Sequence, residues 1–251
     1  SAGFRFKPGQ WARLGVYRDD EHPAAGSSSD ARSGPRFVWR AYSVASASYD
    51  EYLEFYSIVV PDGDFTTHLT SLEVGSELLI EKASYGFLTL DRFHGGRDLW
   101  MLASGTGLAP FMSVLQELEA WDRFERLIVV HSVRKPDELA YRDEIAALRG
   151  HPVIGSLLEA APHRLVYVPL VTREVASGAD GETMLNARIT TALADGSLEA
   201  RAGVKLGHED SRIMICGNPE MVEDIRNQLM IAGYGVSRSN KPGQIAVENY
   251  W

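Results

Sequence analysis

Leu99-Trp100-Met101-Leu102-Ala103-Ser104-Gly105-Thr106-Gly107-Leu108-Ala109-Pro110 is the stretch on which the fold turns. An unbroken apolar run from Leu99 to Ala103 is what a strand buried on both faces requires. The chain then passes two glycines and enters a segment where Leu108, Phe111, Leu115 and Leu118 fall at i, i+3, i+7 and i+10, a helical spacing. Strand, tight turn and helix in that order place backbone amides and a helix N-terminus where a phosphate or a ring edge can dock. A lone glycine-rich turn is weak evidence, and this one ends in Pro110 rather than in the third glycine of the common dinucleotide fingerprint. Ligand loop and plain connection both stand at this point.

Downstream, apolar runs continue to alternate with helical ones, the pattern of a doubly wound α/β parallel sheet with crossover helices. Strands are expected at Asp98 to Ala103, Arg126 to Val133, Arg164 to Val171 and Arg212 to Cys216. Asp137 is placed to cap a helix through Leu148, Pro219 to open the last helix and Gly233 to close it. Upstream, the grammar differs. Gly9 to Tyr17, Phe37 to Ala45, Glu51 to Val60 and Glu77 to Ser84 read as short strands punctuated by Tyr49-Asp50, Pro61-Asp62-Gly63 and Val74-Gly75, as in an antiparallel barrel or sandwich. The change falls at His94-Gly95-Gly96-Arg97, so two domains are expected, 1–95 and 96–251. Arg18 to Pro35, with Asp19-Asp20-Glu21 and Gly26-Ser27-Ser28-Ser29, has nothing to bury and reads as a mobile surface loop.

The formal net charge is -9, and acidic residues outnumber basic ones both before residue 95 (13 against 9) and after it (21 against 16). Neutralising phosphates needs a local excess of Lys and Arg, so non-specific nucleic-acid binding is disfavoured. The single cysteine, Cys216, excludes an internal disulfide framework, and no apolar run approaches the roughly 18 residues of a membrane span. A cytoplasmic protein that does not enter the membrane is expected, acting as a monomer. The seven histidines and one cysteine show no metal-ligand spacing, so no metal site is expected.

Four further places carry chemistry. Arg40-Ala41-Tyr42-Ser43 offers a cation for a phosphate, a flat face for a flat ring and a hydroxyl for a ring nitrogen, although in a regular strand Arg40 and Tyr42 point opposite to Ala41 and Ser43. Arg134, Arg173 and Arg188 each sit just past an expected strand or at a helix start, where strand carboxyl ends converge on a ligand crevice. Three cations there suit an extra phosphate such as the one separating NADP from NAD; solvated surface arginines are the alternative for any one of them. Cys216-Gly217-Asn218-Pro219-Glu220-Met221 again joins a strand to a helix, with Cys216 either a small buried hydrophobe or a crevice residue. The chain closes on Tyr250-Trp251, two aromatics where polar residues are usual.

Taken in order, Pro8-Gly9-Gln10, Arg40-Ala41-Tyr42-Ser43, Leu53-Glu54-Phe55-Tyr56, Val60-Pro61-Asp62-Gly63, Gly86-Phe87, Gly105-Thr106-Gly107, Cys216-Gly217-Asn218-Pro219 and Glu248-Asn249-Tyr250-Trp251 resemble a bacterial ferredoxin/flavodoxin-NADP reductase along nearly the whole chain. The closing aromatic pair is similar to that of the enterobacterial-type subgroup. The resemblance implies an antiparallel β-barrel FAD domain followed by the NADP-binding parallel sheet, with ferredoxin or flavodoxin as partner. It implies that Arg40 pairs with the FAD pyrophosphate, Ala41 is part of the FAD site, Tyr42 stacks on the isoalloxazine and Ser43 lies by the hydride-accepting nitrogen. Tyr56, Ser57, Ile58 and Val59 would contact ribityl and ring edge through their main chain, while Thr66, Thr67, Lys82, Ser84 and Gly86 complete the pocket. Tyr250 would cover the other flavin face and Trp251 stack on adenine, making Ser43, Tyr42 and Tyr250 the catalytic set. Thr106 would lie near both flavin and nicotinamide, Gly105, Gly107, Cys216, Gly217, Asn218 and Met221 would border nicotinamide, and Arg134, Arg173 and Arg188 would hold the 2'-phosphate side of NADP(H). The family's chain begins earlier, with a first barrel strand that has no counterpart here, so a fragment or processed form is expected.

Two rival functions share these features. An NADH-dependent reductase feeding an oxygenase uses the same two domains but usually carries an iron-sulfur domain, for which one cysteine leaves no ligands. A non-catalytic flavin- or nucleotide-binding redox sensor would hold its colour when NADPH is added.

Overall fold

The computed structural model describes residues 3–18, 36–177, 183–238 and 241–249. In chain order, its elements are β1 (Trp11–Arg18), β2 (Arg36–Ser43), α1 (Asp64–Thr70), β3 (Leu79–Ile80), β4 (Asp98–Ser104), α2 (Ala109–Leu115), α3 (Leu118–Arg123) and β5 (Arg126–Val133). They continue with α4 (Arg142–Ala147), α5 (Ile154–Ala160), β6 (Leu165–Val171), α6 (Ile189–Ala194), α7 (Ser197–Ala202), β7 (Ser211–Gly217), α8 (Pro219–Ile231) and β8 (Ile245–Asn249).

The first half is antiparallel, in the order β2-β1-β3, with Trp11 opposite Ser43 and Leu14 opposite both Arg40 and Ile80. Bridges Trp11–Tyr85 and Val44–Phe55 continue the pairing beyond the strands. Alternation along β1 buries Ala12, Leu14 and Val16 while Arg13 and Tyr17 remain outside. The expected strand Glu51 to Val60 is reduced to the Phe55 bridge: its ladder partners are confined to Val44, Ala45 and Ser46, and Ile58, Val59 and Val60 turn out to solvent. The polar loop read between the first two strands lies, from residue 19 to 35, outside the described residues.

The second half is a parallel sheet in the order β6-β5-β4-β7-β8. Its strands separate two cores by simple alternation. Leu99, Met101 and Ala103 of β4 enter one cluster with Phe111, Trp121, Ile145 and Ile154, while Trp100 and Leu102 enter the other with Ile189, Leu198, Val222 and Ile225. The sheet is thus sandwiched between α2–α5 and α6–α8, which explains its nearly continuous apolar sequence. Ala45, Leu88, Leu90 and Phe93, from the antiparallel half, belong to the first of these cores, so the two halves share packing. At the base of the sheet, the fully buried Asp98 accepts from Arg126 at 2.6 and 2.9 Å, a bidentate pair that ties β4 to β5.

Two helices differ from expectation. The apolar series from Leu108 to Leu118 is not one helix: Glu117 is extended, and the Trp121 indole donates to the Leu115 carbonyl across the break between α2 and α3. Asp137 caps nothing; Pro136–Glu138 forms a 3-10 turn because the Glu138 carboxylate folds back onto Arg134, and α4 starts only after Tyr141, at φ 62°. The C-terminal tail also holds a strand that the sequence did not announce, β8, which extends the parallel sheet beside β7.

Candidate functional site

The sheet order fixes where a ligand can enter. From β4 the chain steps outward to β5 and β6, then crosses back to β7 on the other side of β4, so a crevice opens at the carboxyl ends of β4 and β7. Gly105-Thr106-Gly107 leaves β4 there, and Cys216-Gly217-Asn218 ends β7 and leads into α8. The two turns are pressed together. A side chain at Gly107 would land on the Cys216 carbonyl oxygen, and one at Gly217, whose φ is +133°, on the Ser104 hydroxyl. Ser104 Oγ in turn accepts from the Asn218 amide at 2.9 Å. Gly105, at φ +52°, has open space where a side chain would go, the kind of cradle a nucleotide needs.

Asn218 spends its side-chain oxygen on the Glu220 and Met221 amides at 2.9 and 3.2 Å, the N-cap of α8, while Met221 packs at the edge of the second core. Cys216, at the end of β7, is fully buried with its side chain in the first core, in register with Ala103 on one side and Glu248 on the other.

In the antiparallel half, Arg40 is exposed, its guanidinium donates to the Trp39 carbonyl at 2.9 Å, and among the described residues no carboxylate pairs with it. The Tyr42 ring rests on Phe65 of α1, centroids 5.4 Å apart, and its hydroxyl lies 3.0 Å from Ser57 Oγ. Ala41 and Ser43 share the other face of β2, and burial deepens along it: Ala41 is exposed and Ser43, at the strand's end, is buried. Past Ser57, whose hydroxyl lies 3.0 Å from that of Tyr42 and reaches the Ile58 carbonyl at 3.5 Å, the Ile58 and Val59 amides have no hydrogen-bond acceptor among the described residues. A cation, an aromatic face and unpaired amides suit a flavin nucleotide. The Thr66 and Thr67 hydroxyls instead serve the turn, bonding Val60 and Gly63. Ser84 donates to Gln10, Lys82 is exposed, and Gly86, at φ +103°, is backed by Trp11 and Glu248.

The three arginines leave one edge of the sheet. The Arg173 amide donates to the Arg134 carbonyl at 3.0 Å, and Asn186 clamps the next segment by donating to the Val171 and Glu174 carbonyls, bringing Arg188 to the start of α6. Arg173 and Arg188 are exposed and, among the described residues, in no ion pair. Arg134 is paired with Glu138 at 2.7 Å. Partial burial works to raise the Glu138 carboxyl, but the hydrogen bonds from Arg134 hold it below its ordinary value. An incoming phosphate must therefore compete with Glu138 for this cation.

Contacts between the halves went unseen in the sequence. Tyr141 donates to Glu54 Oε1 at 2.7 Å and meets the Tyr56 ring edge-on, centroids 5.4 Å apart. Burial, with the Glu54 hydrogen bond, pushes the Tyr141 hydroxyl above its usual range. Glu248 of β8 accepts from the Phe87 amide at 2.9 Å, and burial raises its carboxyl. His131 lies under the Gly105 turn. Only this last residue had a sequence signal, as the lone polar ring in an apolar strand. Tyr250 and Trp251, expected at the flavin, lie outside the described residues. Among the described residues no helix is long and apolar enough to cross a membrane, and no cluster of side chains could hold a metal ion.

Residues 101–227 match the family model of the oxidoreductase NAD-binding domain. The ferredoxin-NADP reductase of Pseudomonas aeruginosa is 37% identical over 249 residues, covering 98% of this chain and 87% of the relative. The flavodoxin/ferredoxin-NADP reductase of Escherichia coli is 32% identical over 98% of this chain and 88% of its own. A crystal structure of a ferredoxin NADP+ reductase from Neisseria gonorrhoeae with bound FAD and NADP superposes with a TM-score of 0.83, at 37% identity, over 100% of this chain and 89% of that one. With its paired glycine turns at the switch point and its flavin-compatible antiparallel half, the chain belongs to the bacterial ferredoxin/flavodoxin-NADP reductase family.

Proposed function

We propose that the protein is an FAD-dependent reductase that moves electrons between NADPH and a one-electron carrier protein, ferredoxin or flavodoxin. The observation that carries this reading is the open Gly105 turn, locked against Gly217 at the sheet's switch point, in a chain whose other half offers Arg40, Tyr42 and unpaired main chain. When bound, the flavin supplies both hydride exchange with nicotinamide and single-electron delivery to the carrier. The chain orients the partners. Arg40 neutralises the pyrophosphate, Tyr42 and Tyr250 enclose the ring, Ser43 bonds its reactive edge, and the Gly105 to Gly107 turn receives the nicotinamide. Arg173 and Arg188, joined by Arg134 when it leaves Glu138, select the 2'-phosphate.

We assign residues 1–95 to the flavin and 96–251 to the pyridine nucleotide, with β8 carrying the last two residues back toward the first half; the Glu248 bond to Phe87 supports that path. The Tyr250-Trp251 ending supports the enterobacterial-type subgroup. We read the protein as a monomer and, from its composition, as cytoplasmic. The purified protein should be yellow and bleach within seconds of anaerobic NADPH addition, with NADH far slower. Colour that persists would overturn the reductase assignment in favour of a sensor.

A further inference from the structure

His131 is the odd member of β5, preceded by Leu127-Ile128-Val129-Val130. It lies on the face of Leu127 and Val129 and is fully buried. Burying an imidazole forfeits its solvation and leaves two ring nitrogens to satisfy. Both have partners: Nε2 is 3.2 Å from the Gly105 carbonyl oxygen and Nδ1 is 3.4 Å from the Tyr167 hydroxyl. A carbonyl oxygen can only accept, so Nε2 carries the proton, and Nδ1 accepts from Tyr167. Burial, opposed by the Gly105 bond, pushes the imidazole down to about 4, which leaves it neutral near pH 7.

The consequence falls on Thr106. With φ +52° and no neighbour where a Cβ would sit, Gly105 places little steric constraint on the orientation of the peptide that follows it. That peptide is planar and trans, so its carbonyl and its N–H point in opposite directions. The carbonyl is turned onto His131 in the buried layer, and the Thr106 N–H therefore points away from that layer. As the second residue of the 3-10 turn Gly105–Leu108, Thr106 has no acceptor for its N–H inside the turn.

We propose that His131 is a positioning residue that pins the Gly105–Thr106 peptide, so that the Thr106 N–H stands in the crevice as a donor to the bound nucleotide cofactors, with Tyr167 fixing the required tautomer. This inference rests on the reading of the Gly105 turn as a cofactor loop. Without His131 the peptide is free to flip, which would present a carbonyl where a donor is needed.

Three variants test it: His131→Leu removes the donor at similar volume, His131→Gln restores an N–H at a comparable reach, and Tyr167→Phe removes only the tautomer lock. Anaerobic reduction of wild-type flavin by NADPH is measured first, because failure there defeats the underlying reading and not this inference. With that in hand, 15N NMR of the ligand-free protein should show His131 as the Nε2–H tautomer; the Nδ1–H form overturns the proposal. His131→Leu should bind FAD more weakly and reduce it with NADPH more slowly, each by about tenfold, the worth of one well-placed hydrogen bond, while His131→Gln stays within about threefold of wild type. Wild-type behaviour of His131→Leu, or a Gln variant as impaired as the Leu variant, overturns it. If His131→Leu does not fold, Tyr167→Phe takes its place: a roughly two- to threefold loss supports the proposal and unchanged FAD affinity and rate overturn it.

Discussion

The hydrogen bond from Tyr141 to Glu54 spans 87 residues of sequence and joins the residue that precedes α4 to the segment leading to Tyr56. Replacing Tyr141 by Phe deletes the bond and keeps the ring that meets Tyr56. A hydrogen bond to a charged acceptor is worth about 1.5 to 3 kcal/mol when well shielded, and both partners here are only half buried, so about 1 kcal/mol is the appropriate figure. For a chain of this size that shifts the melting temperature by about 2 to 4 °C. The assay is a double-mutant cycle in urea with saturating FAD: wild type, Tyr141→Phe, Glu54→Ala, which removes the acceptor, and the pair. Coupling of about 1 kcal/mol is expected, and the double variant should be little worse than the worse single variant. Strict additivity would refute the bond as a link between the halves. Tyr141→Ala should lose more, since it also removes the edge-on contact at 5.4 Å.

Four further outcomes are expected. Arg173→Ala and Arg188→Ala should each raise the KM for NADPH by about tenfold and leave that for NADH nearly unchanged, whereas Glu138→Gln, by freeing Arg134, should lower the NADPH value a few-fold at low salt only; steady-state kinetics at two ionic strengths decides. Gly107→Ala drives a methyl into the Cys216 carbonyl and should destabilise the holoprotein by about 1 to 3 kcal/mol in denaturant titrations; a wild-type midpoint would contradict the close approach of the two turns. His131 has a folded value of about 4 against an ordinary 6.5, so its neutral form contributes stability that is fully present above pH 6.5 and lost as pH falls toward 4, about 3 kcal/mol in all; stability curves of wild type and His131→Gln should converge over that range, and parallel curves would contradict the burial argument. Deleting Tyr250 and Trp251 should weaken FAD binding and alter the flavin spectrum, and an unchanged titration would remove the second aromatic face from the account.

The parallel half was legible because its strands are buried on both faces: Leu127 to Val133 admits no other reading, and Pro219 and Gly233 punctuate α8 as their backbone preferences require. β8 escaped because Ile245 to Asn249 is short and declares itself only by pairing with β7. Glu51 to Val60 looked like a strand because its residues suit one, yet pairing needs a neighbour and only Val44 to Ser46 provide it. Asn218 illustrates a different limit. The resemblance marked it as a crevice residue, while its other task, lending its side-chain oxygen to the cap of α8, shows only once the helix start is in place. Tyr141 and Glu54 carry no local pattern at all, since their meaning lies in a contact between distant segments. His131 does carry a signal, an imidazole in an otherwise apolar run, but that signal gains a meaning only from the position of Gly105 above it.

The central claim is that this chain converts a two-electron donor into single electrons for a carrier protein, and stoichiometry tests it most directly. With purified holoprotein under anaerobic conditions, NADPH oxidation and reduction of an added ferredoxin or flavodoxin are followed together. The account predicts two carriers reduced by one electron for each NADPH consumed, with little turnover when NADH replaces it. NADPH consumption that is independent of the carrier, or equal rates with the two nucleotides, would contradict it.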